Sequence, residues 1–217
     1  MHKLAKNRIL ILTPCTKNKC TDIVPDKFKV VPEDYLVKES SLLELQIARL
    51  KAFESPRSEY DPGSNQVYAF DLYVRHPRTQ LYRNLRDSGL AERARRVIVE
   101  TRFPAEWFFL SGAYGLVHAF ELTRSYQATF NRQMADQAEI SFTGRIWKNL
   151  PDIIDEMLER LSPSMIHVFG ATDYINFVTA TNAYKQRPGS FRLLCGRATN
   201  PDLREALASL VKGLLPE

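Results

Sequence analysis

Four short apolar runs recur along the chain, and each stops at a residue that interrupts extended pairing. Arg8 to Thr13 carries Ile9, Leu10, Ile11 and Leu12 and is stopped by Pro14. Trp107 to Ser111 runs into Gly112, Met165 to Phe169 into Gly170, and Phe191 to Cys195 into Gly196. None shows the strict alternation of a strand with one wet face. Continuous runs of this length are expected of strands covered on both faces, as in parallel sheets.

Between the runs, apolar positions fall at helical spacing. Ser41 to Phe53 places Leu42, Leu45, Ile47, Ala48 and Leu50 behind a cap at Ser40 or Ser41. Arg78 to Arg102 carries Leu81, Leu85, Leu90, Ala94, Val97 and Ile98, with Gly89 expected to divide it. Arg132 to Leu161 reads as a long helical stretch in which Pro151 starts a fresh helix. Thr172 to Asn182 and Asn200 to Leu214 complete the set, the last with Asn200 as cap and Pro201 behind it. Strand and helix alternate from end to end. The expected fold is a single α/β domain over residues 1–217: a three-layer, open, mostly parallel sheet of about four core strands, with helices on both faces and right-handed crossovers. Irregular insertions around 20–40 and 55–66 follow the first strand, and long loops in compact domains are often functional.

Composition narrows the class. The 217 residues are 44% hydrophobic and 25% charged, enough apolar content for a core without staples and too little charge for wholesale disorder. Cys15, Cys20 and Cys195 are an odd set with no CxxC pair, so neither a disulfide framework nor a structural zinc site is expected. No metal or cofactor is expected. The apolar run after the basic start is too short for a signal-peptide core, and no stretch approaches the ~18 apolar residues of a membrane span, so a cytoplasmic protein without a membrane partner is expected. The net charge of +5 favours polyanionic partners, DNA or a nucleotide, without requiring them.

In open parallel sheets ligands bind beyond the carboxyl ends of the strands. That rule selects the loops at 14–19, 112–116, 170–174 and 196–200. In the first, Cys15 reads as a nucleophile beside the cations Lys17 and Lys19, with Thr16 adding a hydroxyl; the alternative is a small apolar plug at a strand end. The lysines and backbone amides suit a phosphate, although the glycines of a P-loop are missing. In the second, Gly112 and Gly115 let backbone approach a ligand, Ser111 supplies a hydroxyl, and Tyr114 is a ring to stack on a base. Tyr126 and Gln127 lie in a polar and aromatic stretch suited to sandwiching a ring and bonding its edge, or simply to a solvated loop. Asp71 reads as a general base or as the partner of a first-loop lysine, and equally as a helix cap or surface acid. Arg75, Arg78, Arg83, Arg86, Arg93, Arg95 and Arg96 form the densest basic stretch. It reads as a phosphate-tracking face or, given Asp87, Glu92 and Glu100 among them, as a salt-laced exposed helix. His118 follows the glycine loop and is a candidate acid or base, whereas His167 inside a strand reads as a core histidine.

These loops together resemble a family. Leu12 to Lys19 is similar to the opening L-x-x-C-x-x-x-K segment of a bacterial and phage family of unassigned function, distantly related to the YaaA peroxide-stress proteins. Ala69 to Tyr73 resembles its A-x-x-L-Y element, Phe109 to Val117 its I-L-S-A-K-Y-G-L-V motif, Tyr126 to Phe130 its Y-D-x-T-L, and Gly170 to Tyr174 its G-x-x-Y. Gly112 and Ala113 replace the usual Ala and Lys, and Gln127 replaces the usual Asp, which removes a cation and a carboxylate. The resemblance adds Tyr73, Gly170 and Tyr174 to the candidate substrate-binding residues and implies a link to DNA binding, oxidative stress or phage defence. The strand layout also resembles that of uracil-DNA-glycosylase-type folds, a likeness of architecture alone.

Three functions follow as expectations. The first is a nucleobase- or nucleotide-directed enzyme, such as a glycosylase-like hydrolase of modified bases, with Asp71, Ser111 and Cys15 catalytic. The second is a non-catalytic DNA-binding module, and the third a small nucleotide-binding protein.

Overall fold

A computed structural model describes residues 9–16, 19, 67–100, 103–123 and 125–216. The helix expected over Ser41 to Phe53, both insertions and Lys17 lie outside the described residues.

Among the described residues, five strands form the central sheet. Four are the apolar runs: β1 (Ile9–Pro14), β3 (Ala105–Ser111), β8 (Met165–Gly170) and β9 (Phe191–Cys195). Two-residue strands β2 (Val67–Tyr68), β5 (Leu122–Thr123), β6 (Ala128–Thr129) and β7 (Ser141–Phe142) pair outside it. The order is β4-β3-β1-β8-β9, where β4 is Gly115–His118. β1 lies parallel to both β3 and β8, and β8 parallel to β9. The central strands are sealed on both faces: all seven residues of β3 are buried, as are five of the six in β1. That is the physical meaning of their unalternating apolar sequence.

The fifth strand corrects the expected four. Gly115 to His118 was expected as loop, but it folds back antiparallel on β3, pairing Phe108 with His118 and Ser111 with Gly115. Gly115 has φ +70°, a conformation that costs an L side chain strain and costs glycine little. The run is only four residues long, which is why apolar periodicity does not expose it.

The helices surround this sheet. In chain order they are α1 (Ala69–Val74), α2 (Arg83–Asp87), α3 (Leu90–Val99), α4 (Arg132–Ala138), α5 (Thr143–Ile146), α6 (Leu150–Leu161), α7 (Thr172–Thr179), α8 (Asn182–Gln186) and α9 (Pro201–Leu214). The expected break at Gly89 falls between α2 and α3, with φ +72°. The stretch 132–161 is three helices rather than one or two. Glu139 turns left-handed after α4, and β7 then pairs with β6. Pro151 does open α6 within its first turn. Leu150, Ile153, Ile154, Met157, Leu158 and Leu161 bury one stripe of α6. Each such aliphatic side chain contributes roughly 1.5–3 kcal/mol by leaving water. Asn200 caps α9 through a 2.9 Å bond from the Asp202 amide, as its sequence suggests.

The topology fixes where a site lies. The parallel strands run 3-1-8-9, so the chain leaves β1 to one side for β3 and returns past it to the other side for β8. The sheet therefore has a switch point beside β1, at the carboxyl ends of its parallel strands. Pro14 sits opposite Leu110, and Gly170 opposite Cys195, so the loops after all four strands emerge on one edge.

Candidate functional site

Cys15 is the first residue beyond β1. Its amide donates to the Leu110 carbonyl at 2.9 Å, which holds the turn against β3. The Tyr82 hydroxyl donates to the Pro14 carbonyl at 2.6 Å and fixes the turn from the other side. Cys15 is buried at 8% exposure, and two polar groups reach its sulfur. The Gly112 amide donates to Sγ at 3.4 Å. The Tyr174 hydroxyl lies 3.6 Å from Sγ and 3.4 Å from the Cys15 carbonyl.

Behind Tyr126 lies a knot of hydroxyls. Ser111 Oγ donates to the Tyr126 hydroxyl at 2.9 Å, and the Tyr73 hydroxyl is 3.1 Å from Tyr126 and 3.0 Å from Ser111. All three residues are buried, Tyr73 and Ser111 completely. Lys19 Nζ stands 4.1 Å from the centroid of the Tyr126 ring, a cation–π contact. Burial pushes the phenols of Tyr73, Tyr126 and Tyr174 well above the ordinary tyrosine value, and the charge at Cys15 pushes them further. They therefore keep their protons at neutral pH and act as donors. Burial pulls Lys19 down, and the charge at Cys15 opposes that shift.

The loop carrying the Gly112 amide is clamped. Thr143 Oγ1 donates to the Gly112 carbonyl at 3.0 Å, and Trp147 Nε1 to the Ala113 carbonyl at 2.9 Å. A Cβ on Gly112 would sit 2.7 Å from the Ala128 carbonyl oxygen. This glycine thus permits close approach to the chain's own β6.

The structure brings together Cys15, Lys19, Tyr73, Ser111, Gly112, Tyr126 and Tyr174. Thr16 follows Cys15 and is half-buried. Gly170 turns out of β8 with φ +151° and packs against Tyr174. Tyr114 is completely buried, its ring edge-on to Tyr126 at 5.6 Å, so a base could stack on it only after rearrangement. Gln127 is exposed. Asp71 stands apart. It is 0% exposed, and Arg95 grips both carboxylate oxygens, Nε to Oδ1 at 2.8 Å and an Nη to Oδ2 at 3.1 Å. Arg75 adds a contact at 3.6 Å. Two residues of helix separate Asp71 from Tyr73, about 200° of rotation, so the two point to opposite sides of α1.

The other candidates have structural partners. Arg86 donates to the carbonyls of Val74, Pro77 and Thr79, Arg83 pairs with Asp87, and Arg93 bonds the Pro216 carbonyl. The basic stretch thus bonds largely to its own chain. His118 is buried: Nδ1 accepts from the Phe120 amide, and Nε2 lies 3.3 Å from Glu106. His167 is buried in β8, and burial pulls it below the ordinary histidine value, with the charge of Arg192 adding to the shift.

Sequence reasoning missed Tyr82, Thr143 and Trp147, which shape the two loops through backbone carbonyls. It also passed over Asp173, a half-buried acid in the first turn of α7, beside Tyr174, that accepts from Asn131 Nδ2 at 2.9 Å. No group of three or more His, Cys, Asp or Glu side chains suited to a metal occurs among the described residues. No helix among them is long and apolar enough to cross a membrane. A shallow depression on α4, lined by Arg132, Gln133, Asp136 and Gln137, lacks any convergence of reactive groups. No family model matches the chain, and a search of curated proteins returns no match.

Proposed function

We propose that this chain is an enzyme acting on a nucleobase or nucleotide at the N-glycosidic bond, with Cys15 as its nucleophile. The observation that carries the reading is the place of Cys15 Sγ at the switch point, where the Gly112 amide donates to it at 3.4 Å and the Tyr174 hydroxyl stands 3.6 Å away. The sulfur attacks C1′ of the sugar, the C1′–N bond breaks, and its electron pair leaves with the base, which takes a proton from Lys19 or water. Water then attacks C1′ and gives up a proton to the Lys19 amine or to solvent, the C–S bond breaks, and its electron pair returns to the sulfur. The Gly112 amide on the sulfur favours it as leaving group in that second half. The half-buried ring of Tyr174, packed on Phe130 at 4.5 Å between centroids, is the surface on which the base stacks. Asp71 has no part in this scheme, because Arg95 occupies both its oxygens.

The layout of uracil-DNA-glycosylase-type folds and the resemblance to YaaA-related proteins support a modified-base substrate in stress response or phage defence. The reading of a simple DNA-binding module is weaker, because five arginines of the basic stretch already hold partners within the chain. The test is base release from oligonucleotides and nucleosides carrying modified bases, comparing wild type, Cys15→Ala and Cys195→Ser. Release lost in Cys15→Ala and retained in Cys195→Ser supports the scheme. Equal release by wild type and Cys15→Ala, or none from any substrate, overturns it.

A further inference from the structure

Among the described residues, two buried side-chain polar atoms have no hydrogen-bond partner: Thr79 Oγ1 and Arg204 Nε. The second is the costlier, because a guanidinium stays charged at any physiological pH and a charged donor loses more than a hydroxyl when it goes unanswered. No ion pair or hydrogen bond of the Arg204 head group occurs among the described residues. Its neighbouring acids do not answer it. Asp202 and Glu205 stand two and one positions away on α9, spacings that do not face each other on a helix. Glu205 is held instead by Asn84 at 3.1 Å and by Ser209 at 3.2 Å. The place of Arg204 follows from the topology. α9 leaves the end of β9 through a turn in which the Gly196 amide donates to the Gly170 carbonyl at 2.9 Å. It packs on α2 and α3, and α2 begins directly after Tyr82, whose hydroxyl bonds the Pro14 carbonyl at the end of β1. Arg204 follows the buried Leu203 and stands four positions before the buried Ala208, so its stem runs along the packed side of α9. Helix side chains lean towards the N-terminus, which here carries the guanidinium to the carboxyl edge of the sheet, the edge on which Cys15 and Tyr174 meet.

We propose that Arg204 binds a phosphate of the substrate, which is therefore a phosphorylated nucleotide or a nucleic-acid strand and not a free nucleoside or base. A planar guanidinium meets two phosphate oxygens at once, and Nε with one Nη is an edge that makes that fork. The positive end of a 14-residue helix adds to the attraction, and the exposed Arg197 in the turn before it adds a second cation. An unanswered donor destabilises the free protein, and a bound oxyanion removes that cost. The inference rests on the reading of this edge as a site for nucleobases, whose phosphorylated forms carry the anion beside the sugar.

The experiment is isothermal titration calorimetry of the full chain with inorganic phosphate, the common deoxynucleosides, their 5′-monophosphates and short single-stranded DNA, beside thermal unfolding without ligand. In wild type a monophosphate or the DNA strand binds at least about tenfold more tightly than the matching nucleoside, and Arg204→Met removes that preference. Arg204→Lys keeps the charge but not the fork, so it retains part of the preference. A preference confined to monophosphates identifies a terminal phosphate, and one confined to the strand identifies a diester. Met preserves the apolar stem and removes the orphaned charge, so Arg204→Met without ligand melts at or above wild type, whereas the loss of a structural arginine lowers Tm. Arg96→Gln, at an exposed position of α3, leaves both the phosphate preference and Tm in place. A preference that survives in Arg204→Met, equal binding of phosphorylated and unphosphorylated ligands by wild type, or an Arg204→Met protein that melts well below wild type overturns the proposal. Phosphate binding that depends on Arg204 without any base release keeps this subsite and removes the glycosidic reaction. Base release unchanged by Arg204→Met keeps the reaction and removes the subsite.

Discussion

Replacing Asp71 by Asn separates a structural acid from a catalytic one. The carboxylate is 1% exposed, its main partner Arg95 is 12% exposed, and the bonds between them are 2.8 and 3.1 Å. Asn keeps the volume but removes the charge and leaves the guanidinium facing an amide. Breaking a buried pair from one side costs about 3–5 kcal/mol, largely because the surviving charge is stranded. In a chain of this length each kcal/mol lowers Tm by roughly 2–4 °C, so Asp71→Asn lowers it by on the order of 10 °C. The double variant Asp71→Leu with Arg95→Met recovers most of that loss, since no uncompensated charge remains. Thermal unfolding followed by circular dichroism measures the shift, and Cys15 alkylation at 20 °C reports whether the site survives in the folded fraction. The reasoning predicts lost stability with unchanged alkylation. An Asp71→Asn protein that melts with wild type yet loses base release would refute it and restore the acid to the chemistry.

Three further outcomes follow from particular contacts. Gly112→Ala forces a Cβ to within 2.7 Å of the Ala128 oxygen, so it destabilises by about 1–3 kcal/mol in denaturant titration and slows Cys15 alkylation as the Gly112 amide moves off the sulfur. Trp147→Phe removes the indole bond to the Ala113 carbonyl and costs about 1 kcal/mol on the same assay. His167 has a folded value depressed by burial, so the unfolded state binds the proton more readily. Its contribution to stability is full above the ordinary histidine value, ~6.5, and is lost as pH falls through the folded value. Urea midpoints between pH 7.5 and pH 5 should therefore fall less steeply in His167→Gln than in wild type.

The strands were legible because burial on both faces leaves no polar alternation to confuse them, and because Pro14, Gly112, Gly170 and Gly196 close them. The hairpin β3–β4 was not, since its return strand is four residues long and its turn, Gly112 to Tyr114, reads equally well as an open loop. The break after α4 was hidden for a related reason. β6 and β7 pair through only two residues each, and that pairing joins segments that sequence periodicity treats separately.

The site divides the same way. Cys15, Ser111, Tyr126 and Tyr174 were visible because they are reactive or hydroxyl-bearing residues placed just beyond strand ends or in polar loops. The surroundings of Asp71 depended on a partner 24 positions away that no local pattern reveals, and on the phase of a six-residue helix. Tyr82, Thr143 and Trp147 act through backbone carbonyls, which any residue presents, so their roles leave no signature in residue type. What the sequence does carry is the topological reason for the site. A chain that visits β3 before β8 must leave a gap in its crossovers beside β1. Cys15 and Tyr174, 159 positions apart, meet in that gap with sulfur and hydroxyl 3.6 Å from each other. A ligand entering there meets the ends of two strands whose loops approach from opposite directions. The residues that line the gap are therefore drawn from distant parts of the chain, and the mutually bonded hydroxyls of Tyr126, Ser111 and Tyr73 connect it to α1.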